Sequence, residues 1–225
     1  MRLRFDTGAY ESGIDLTSEE MSRVGVSVTG VSHASDVMGN IFERRAFKLA
    51  EIHLGSLALR DVVGNEFRFL PDRAPPGRTG HVGLASLNPY LLVVNFSRSE
   101  LQVRATGDFA LECGTGDSRL IIGEHGIASE FHTESGSLLL GWDTAAQANI
   151  LKPATLGLGQ AQFKMDELRE LRGAVGTSER SDIAFRLMDI QIPGLDGLLG
   201  YDYFNRHVVC LDLPVRRVRI KRRPD

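Results

Sequence analysis

Two short stretches of this sequence place a carboxylate in matching surroundings. Phe5-Asp6-Thr7-Gly8-Ala9 sets an aspartate after an aromatic residue, and Trp142-Asp143-Thr144-Ala145-Ala146 repeats that order with Ala145 in place of Gly8. Two carboxylates held a few ångströms apart cannot both ionise cheaply, so they share a proton and titrate as a pair. One member can then accept a proton from water while the other donates one. Asp6 and Asp143 are therefore the candidate catalytic residues.

An aspartate at the end of a strand also has an ordinary structural explanation. Most often its side chain bonds the backbone of its own turn. For Asp6 or Asp143 taken alone, that interpretation is preferred. The repeated context favours a facing pair instead, and a purely structural repeat is the weakest alternative.

A second repeated block follows each aspartate. Gly80-His81-Val82-Gly83-Leu84 recurs 117 residues later as Gly197-Leu198-Leu199-Gly200-Tyr201. The same offset continues through the next strand-like segments, where residues 91–96 match residues 208–213. A duplication of such long period signals two similar structural units.

The sequence therefore predicts an all-β fold of two lobes, residues 1–105 and residues 106–225. Apolar residues alternate with polar ones, and glycine and proline punctuate the pattern. A strand at residues 138–140 is expected to deliver Asp143. The only longer helical pattern covers residues 165–171, and residues 71–80 predict a loop.

The start of the first lobe differs from that of the second. Only five residues precede Asp6, so the strands that open the second lobe have no counterpart. We expect either a truncated start or a strand supplied by this chain or a partner at that edge. Just beyond, Thr17 with Glu20 three residues later predicts a short helix start.

The order of these blocks resembles the retropepsin-like aspartic proteases, and their occurrence twice in one chain is similar to the bilobal pepsin-like arrangement. Asp6-Thr7-Gly8-Ala9 carries the resemblance in the first half, and Leu198-Leu199-Gly200-Tyr201-Asp202 carries it in the second. The resemblance implies closed β-barrel lobes related by a pseudo-two-fold axis, with short helices. It also implies an aspartic endopeptidase that activates water at the lobe interface without metal or cofactor.

The resemblance also implies roles for individual residues around the two aspartates. Thr7, Gly8, Thr144 and Ala145 would support the pair, with the threonines bracing the facing backbone. The glycines of the second block would pack under the turns, and glycine-rich hairpins would close over the substrate. The packing glycines are Gly83 and Gly200, and the flap candidates are Thr29 and Gly30 in the first lobe and Gly173 and Gly176 in the second.

Departures from the family pattern motivate an alternative. Ala145 stands where the first copy has glycine, and a position that needs positive φ would be strained by its methyl group. Ala85 stands opposite Asp202 in the repeat. These changes, with the short start, keep open a catalytically degenerate module of the same fold that binds a peptide or partner without cutting it.

Composition narrows the remaining classes. The 225 residues carry a formal net charge of −3, with 42% hydrophobic and 24% charged residues, and these values are typical of a globular protein with no bias towards nucleic acid. The apolar runs are too short for a membrane span, and the six histidines show no metal-ligand spacing. Cys113 and Cys210 are expected to be two buried thiols.

The expected partner is a peptide or protein substrate, and no nucleic acid, membrane span, metal or cofactor is expected. A monomer with an internal pseudo-dimer is the first expectation, with a homo-oligomer left open. The compartment is unknown. The sequence as it stands suggests the cytoplasm, and removal of a leader would suggest the periplasm or secretion.

Overall fold

The chain forms two compact units, Met1–Leu87 and Asn88–Asp225. The computed structural model describes residues 3–67, 79–109, 111–123 and 126–223. Most of the predicted loop at residues 71–80 lies outside these described residues. The units divide nearer the start of the chain than residue 105, and the two lobes defined by the duplication stay a prediction.

The described residues of the first unit form six strands and one α-helix. Its elements are β1 (Leu3–Phe5), β2 (Ile14–Leu16), α1 (Ser18–Val24), β3 (Val28–Ser35), β4 (Ile41–Leu54), β5 (Leu57–Glu66) and β6 (Gly80–Val82). The strands form one sheet in the order β1-β6-β2-β5-β4-β3. The buried apolar side chains of this unit include Ile14, Leu16, Phe47, Leu84 and Leu87.

Helix α1 begins where the sequence predicted. The Thr17 side chain accepts a hydrogen bond from the Glu20 N–H at 3.3 Å, which caps the first turn. Gly25 ends the helix in the left-handed region at φ 69°. The Glu20 carboxylate pairs with Arg23 on the next turn.

In the second unit the described ranges contain twelve strands and a second α-helix. Its elements are β7 (Leu91–Asn95), β8 (Glu100–Arg104), β9 (Gly116–Arg119), β10 (Ile121–Gly123), β11 (Gly126–Thr133), β12 (Ser137–Trp142), β13 (Ile150–Leu151), β14 (Leu168–Val175), β15 (Ser181–Leu187), β16 (Gly197–Leu199), α2 (Tyr201–Arg206), β17 (His207–Asp212) and β18 (Arg217–Arg222). Short 3-10 helices occur in both units, at Ala85–Leu87, Phe96–Arg98, Leu111–Cys113, Pro153–Leu156 and Gln160–Gln162.

The strands described in the second unit form two sheets. One has the order β10-β11-β12-β16-β13-β15-β14, and an additional β11–β14 pairing closes six of its strands into a barrel. The other has the order β8-β7-β17-β18-β9. The predicted all-β, acid-protease-like fold is confirmed. The barrel closes in the second unit, whereas the described strands of the first unit form an open sheet. None of the described helices combines the length and apolar character needed to cross a membrane.

The duplication is visible in strand order and direction. In the first unit β1-β6-β2-β5-β4 repeats the order of β12-β16-β13-β15-β14 in the second, with the same parallel and antiparallel pairings. The neighbour on the outer edge differs. In the first unit β3 forms a hairpin with β4, whereas in the second the edge of β14 pairs with β11.

The helix expected at residues 165–171 is wrong. Leu168–Val175 is strand β14, which pairs with β15 from Leu168 opposite Arg186 to Gly173 opposite Ser181. Ladder hydrogen bonds on both edges of this strand outweigh the local helical pattern, because propensity is weaker than tertiary pairing.

The expectation of two free thiols is also wrong. Cys113 and Cys210 form a disulfide that links the Leu111–Cys113 helix to β17, with Cα atoms 5.7 Å apart. Both residues are fully buried, in a cluster with Leu91, Val93 and Val208. The 97-residue separation hid the pairing, since nothing local in the sequence connects the two positions.

Candidate active site

The first Asp loop, residues 6–9, follows directly from β1. The Asp6 N–H donates to the Val82 carbonyl at 2.9 Å, and the Ala9 N–H donates back to the Asp6 carbonyl at 3.3 Å. The Gly8 N–H donates to Asp6 Oδ1 at 2.9 Å. These bonds fix both the backbone and the side chain of Asp6, which is 8% exposed.

The second Asp loop, residues 143–146, repeats these hydrogen bonds and adds one, from the Ala146 N–H to Asp143 Oδ1 at 3.0 Å. The Asp143 N–H donates to the Leu199 carbonyl at 3.0 Å, and the Ala146 N–H donates to the Asp143 carbonyl at 3.2 Å. The Ala145 N–H donates to Asp143 Oδ1 at 2.7 Å. The strand predicted to deliver Asp143 is β12, which ends at Trp142. Each unit therefore holds one copy of the same carboxylate-bearing loop.

The supporting role of the residues beside the aspartates stays a prediction. Thr7 and Thr144 are both buried. Ala145 does not have positive φ, so its methyl group adds no left-handed strain. Asp202 lies exposed at the start of α2, and the described residues give its carboxylate no hydrogen bond. The replacement of this residue by Ala85 in the other copy therefore removes no hydrogen bond that the carboxylate makes in the described part of the second unit.

Gly83 and Gly200 lie directly against the Asp loops. A Cβ on Gly83 would approach the Ser12 and Ala9 carbonyl oxygens to 2.2 and 2.3 Å, and one on Gly200 would approach the Ala148 oxygen to 2.2 Å. Any larger residue would therefore push backbone atoms apart. The next residues complete the contact, since the Leu84 N–H donates to the Ala9 carbonyl at 3.0 Å.

The matching hydrogen bond in the second unit runs from the Tyr201 N–H to the Ala146 carbonyl at 2.9 Å. Each glycine thus allows the residue that follows it to donate a hydrogen bond to the Asp loop of its own unit. The residues differ between the two units, but in both the donor is a backbone N–H and the acceptor is a backbone carbonyl.

A histidine that sequence reasoning did not single out contacts Asp6. His81 lies on β6, where its Nδ1 is 3.1 Å from Asp6 Oδ2, and both side chains are about nine-tenths buried. On the neighbouring strand Asp15 lies opposite His81 in the β2–β6 ladder. The one available signal was the repeat, which aligns His81 with the apolar Leu198.

A buried polar network extends from Asp15 towards the β3–β4 hairpin. Asp15 accepts a hydrogen bond from the Ser12 hydroxyl and lies 3.4 Å from Nη1 of Arg44 on β4. Asn65 donates to the Ser12 hydroxyl at 3.3 Å and accepts from the Ser32 hydroxyl at 2.7 Å. Burial raises the pKa of Asp15 above its ordinary value of 3.8, while Ser12, Arg44, His81 and Asn65 act in the opposite direction.

The four flap candidates occupy two different kinds of position. Thr29 and Gly30 are exposed on β3, near the base of its hairpin with β4, and the turn of that hairpin lies at residues 36–40. Gly173 lies on β14, and Gly176 has φ 54° in the turn towards β15. The β14–β15 hairpin matches β4–β5 in strand order. The flap role of all four residues stays a prediction.

The described residues contain no group of three or more histidine, cysteine, aspartate or glutamate side chains arranged to hold a metal ion.

The fold is similar to that of a solved aspartic proteinase. The match to the aspartic proteinase from Irpex lacteus covers 98% of this chain and 89% of the proteinase chain. The TM-score is 0.57 and the sequence identity is 15%. At that identity the likeness concerns the fold alone. Comparison with family models and with curated proteins gives no match.

Replacing either packing glycine by alanine should destabilise its unit. We expect Gly83→Ala and Gly200→Ala to lower the free energy of unfolding by about 1–3 kcal/mol, because overpacked sites force backbone shifts. Chemical denaturation monitored by circular dichroism measures this loss. Gly30→Ala and Gly123→Ala are matched controls, since a Cβ at either position meets no atom within 4 Å. Equal losses in the controls would contradict the close-contact account.

Asp15 should make the stability of the first unit depend on pH. A raised pKa in the folded state means that its contribution is present below about pH 3.8, the ordinary value, and is lost as the pH rises through the folded-state pKa. Asp15→Asn cannot titrate at this position. Wild type should therefore lose stability relative to Asp15→Asn between about pH 3.5 and pH 7 in denaturation series. A constant difference, or the opposite slope, would exclude this linkage.

Proposed function

We propose that the chain is an aspartic endopeptidase in which Asp6 and Asp143 together activate a water for peptide-bond hydrolysis. The observation that carries the proposal is the matched hydrogen bonding of the two Asp loops, one in each unit. The acid-protease-like fold supports it, since that fold is known in an aspartic proteinase. The proposal requires the two carboxylates to meet.

In this mechanism the two aspartates share one proton. The ionised carboxylate takes a proton from a bound water as that water attacks the scissile carbonyl carbon. The protonated carboxylic acid donates its proton to the carbonyl oxygen, and the tetrahedral intermediate then collapses with protonation of the leaving amine. Each proton transfer contributes roughly 10²–10⁴-fold. No covalent bond forms between substrate and protein.

The proposed substrate is an extended polypeptide with apolar side chains. The β3–β4 hairpin of the first unit carries a set of exposed apolar residues, which are Val28, Val31, Met38, Ile41 and Phe42. Covering exposed apolar side chains with an apolar peptide would be favourable, since apolar surface would be removed from water. In the proposal this hairpin lies over the bound peptide and excludes water from it.

The direct test is cleavage of an unfolded protein mixture between about pH 3 and pH 7, followed by mass spectrometry. Wild type should release peptides, and Asp6→Asn and Asp143→Asn should each lower the rate by at least about 10²–10⁴-fold, because each removes one partner of the proton exchange. Asp61→Asn and Asp182→Asn serve as controls in the two units, since both aspartates are exposed. Full activity in either Asp-loop variant would sink the proposal.

A peptide-binding module that does not cut is the second candidate. The observation that favours it is the 3.1 Å contact of His81 with Asp6, since a donor held on Oδ2 would compete with the shared proton for that oxygen. This candidate expects a wild type that binds peptides without releasing fragments. It also expects His81→Leu to gain cleavage, whereas the endopeptidase proposal expects the wild type itself to cleave.

A further inference from the structure

His81 touches the carboxylate that the proposed mechanism uses. Its Nδ1 lies 3.1 Å from Asp6 Oδ2, while the Gly8 N–H occupies Oδ1 at 2.9 Å. Both oxygens of Asp6 therefore have a donor within hydrogen-bond distance, one from the backbone and one from a side chain. Two donors on opposite oxygens fix the rotation of a carboxylate about its Cβ–Cγ bond.

The second unit supplies an internal comparison for this contact. In the ladders beneath the Asp loops, Asp15 lies opposite His81 in the first unit, and Ile150 lies opposite Leu198 in the second. The fold is thus built at the same position with an apolar pair. Burying a histidine and an aspartate there costs desolvation that the apolar pair avoids. A role at Asp6, the group that His81 touches, explains why the polar pair is present.

Packing around the ring indicates which nitrogen carries the proton. His81 Nε2 is buried and has no hydrogen-bond partner among the described residues. The ring packs against Phe67, with ring centroids 4.1 Å apart. A proton on Nε2 would leave a buried N–H without an acceptor, which is costly. The favoured neutral tautomer therefore carries its proton on Nδ1, which faces Asp6.

We propose that His81 is a positioning residue for Asp6. Its Nδ1–H donates to Oδ2 and, with the Gly8 N–H on Oδ1, holds the carboxylate in one orientation towards the reacting water. His81 itself does not contact substrate or water. This inference rests on the proposed endopeptidase function, and it adds that the two Asp loops orient their carboxylates by different means.

Three substitutions separate positioning from packing. His81→Asn keeps an N–H donor bonded to Cγ, where Nδ1 stands, whereas His81→Gln moves the amide one bond further out, towards Nε2. His81→Leu installs the residue of the second unit. We expect His81→Leu and His81→Gln to lower kcat about 10- to 100-fold at unchanged KM, because misplaced catalytic groups lose rate rather than binding. His81→Asn should stay within about threefold of wild type, because it preserves the donor position.

Thermal melting of each variant, compared at equal folded fraction, removes effects of stability. His53→Asn is the matched control, since His53 is an exposed histidine on β4 of the same unit. The positioning role would be overturned by equal losses of kcat in all three His81 variants or by a rise in KM alone. Unchanged activity in every variant, or a gain of activity in His81→Leu, would overturn it as well.

Nuclear magnetic resonance of ¹⁵N-labelled imidazole tests the same contact without requiring activity. The His81 Nδ1 resonance of wild type should show a bound proton and should move in Asp6→Asn but not in Asp61→Asn. An Nδ1 resonance that Asp6→Asn leaves unchanged would overturn the proposal. If the contact is present but the chain cleaves no peptide, the endopeptidase function fails while the His81–Asp6 contact stands.

Discussion

The close approach of a glycine to each Asp loop is the constraint on which the candidate site depends. Gly83 and Gly200 lie so near the carbonyl oxygens above them that no side chain fits. Because each glycine lies so close, the residue after it can donate a backbone hydrogen bond to the Asp loop. Within each loop, a backbone N–H donates to the carbonyl of the aspartate. In both loops the aspartate accepts a hydrogen bond from the N–H two residues further along, and Asp143 also accepts one from the Ala146 N–H.

The two units use this shared arrangement in different surroundings. Beneath the first loop lie His81 and Asp15, which belong to a polar network that reaches Arg44 and the β3–β4 hairpin. Beneath the second lie apolar residues, and its six-stranded barrel closes on itself. The first unit therefore carries buried charge beside its Asp loop and an extra hairpin, whereas the second carries the closed barrel and the disulfide. Such disulfides persist in oxidising compartments.

Features that repeat in the sequence could be predicted. The Asp loops, the packing glycines and the strand pairs that end each copy appear twice, and duplication distinguishes them from chance. The N-cap at Thr17 is a local signal in the sequence, and the structure confirms it. The fold class followed from the alternation of apolar residues and the absence of long helical patterns.

What could not be predicted depends on contacts between distant residues. The strand at β14 has a local pattern that suits a helix, and only its ladders with β11 and β15 decide otherwise. Cys113 and Cys210 are 97 residues apart, and no local pattern joins them. The pairing of His81 with Asp6 likewise depends on β1 and β6 lying side by side. Its one trace in the sequence is a polar residue at a position that is apolar in the other copy.

The central claim is that Asp6 and Asp143 act together in catalysis. Comparing the cleavage rates of the single variants with that of the double variant tests this claim most directly. Rates of peptide cleavage would be measured for wild type, Asp6→Asn, Asp143→Asn and the chain carrying both substitutions. Groups that act as a unit lose nearly all of their effect when either is removed. The account predicts that each single variant is as slow as the double variant. Losses that multiply, or a single variant that keeps its activity, would contradict it.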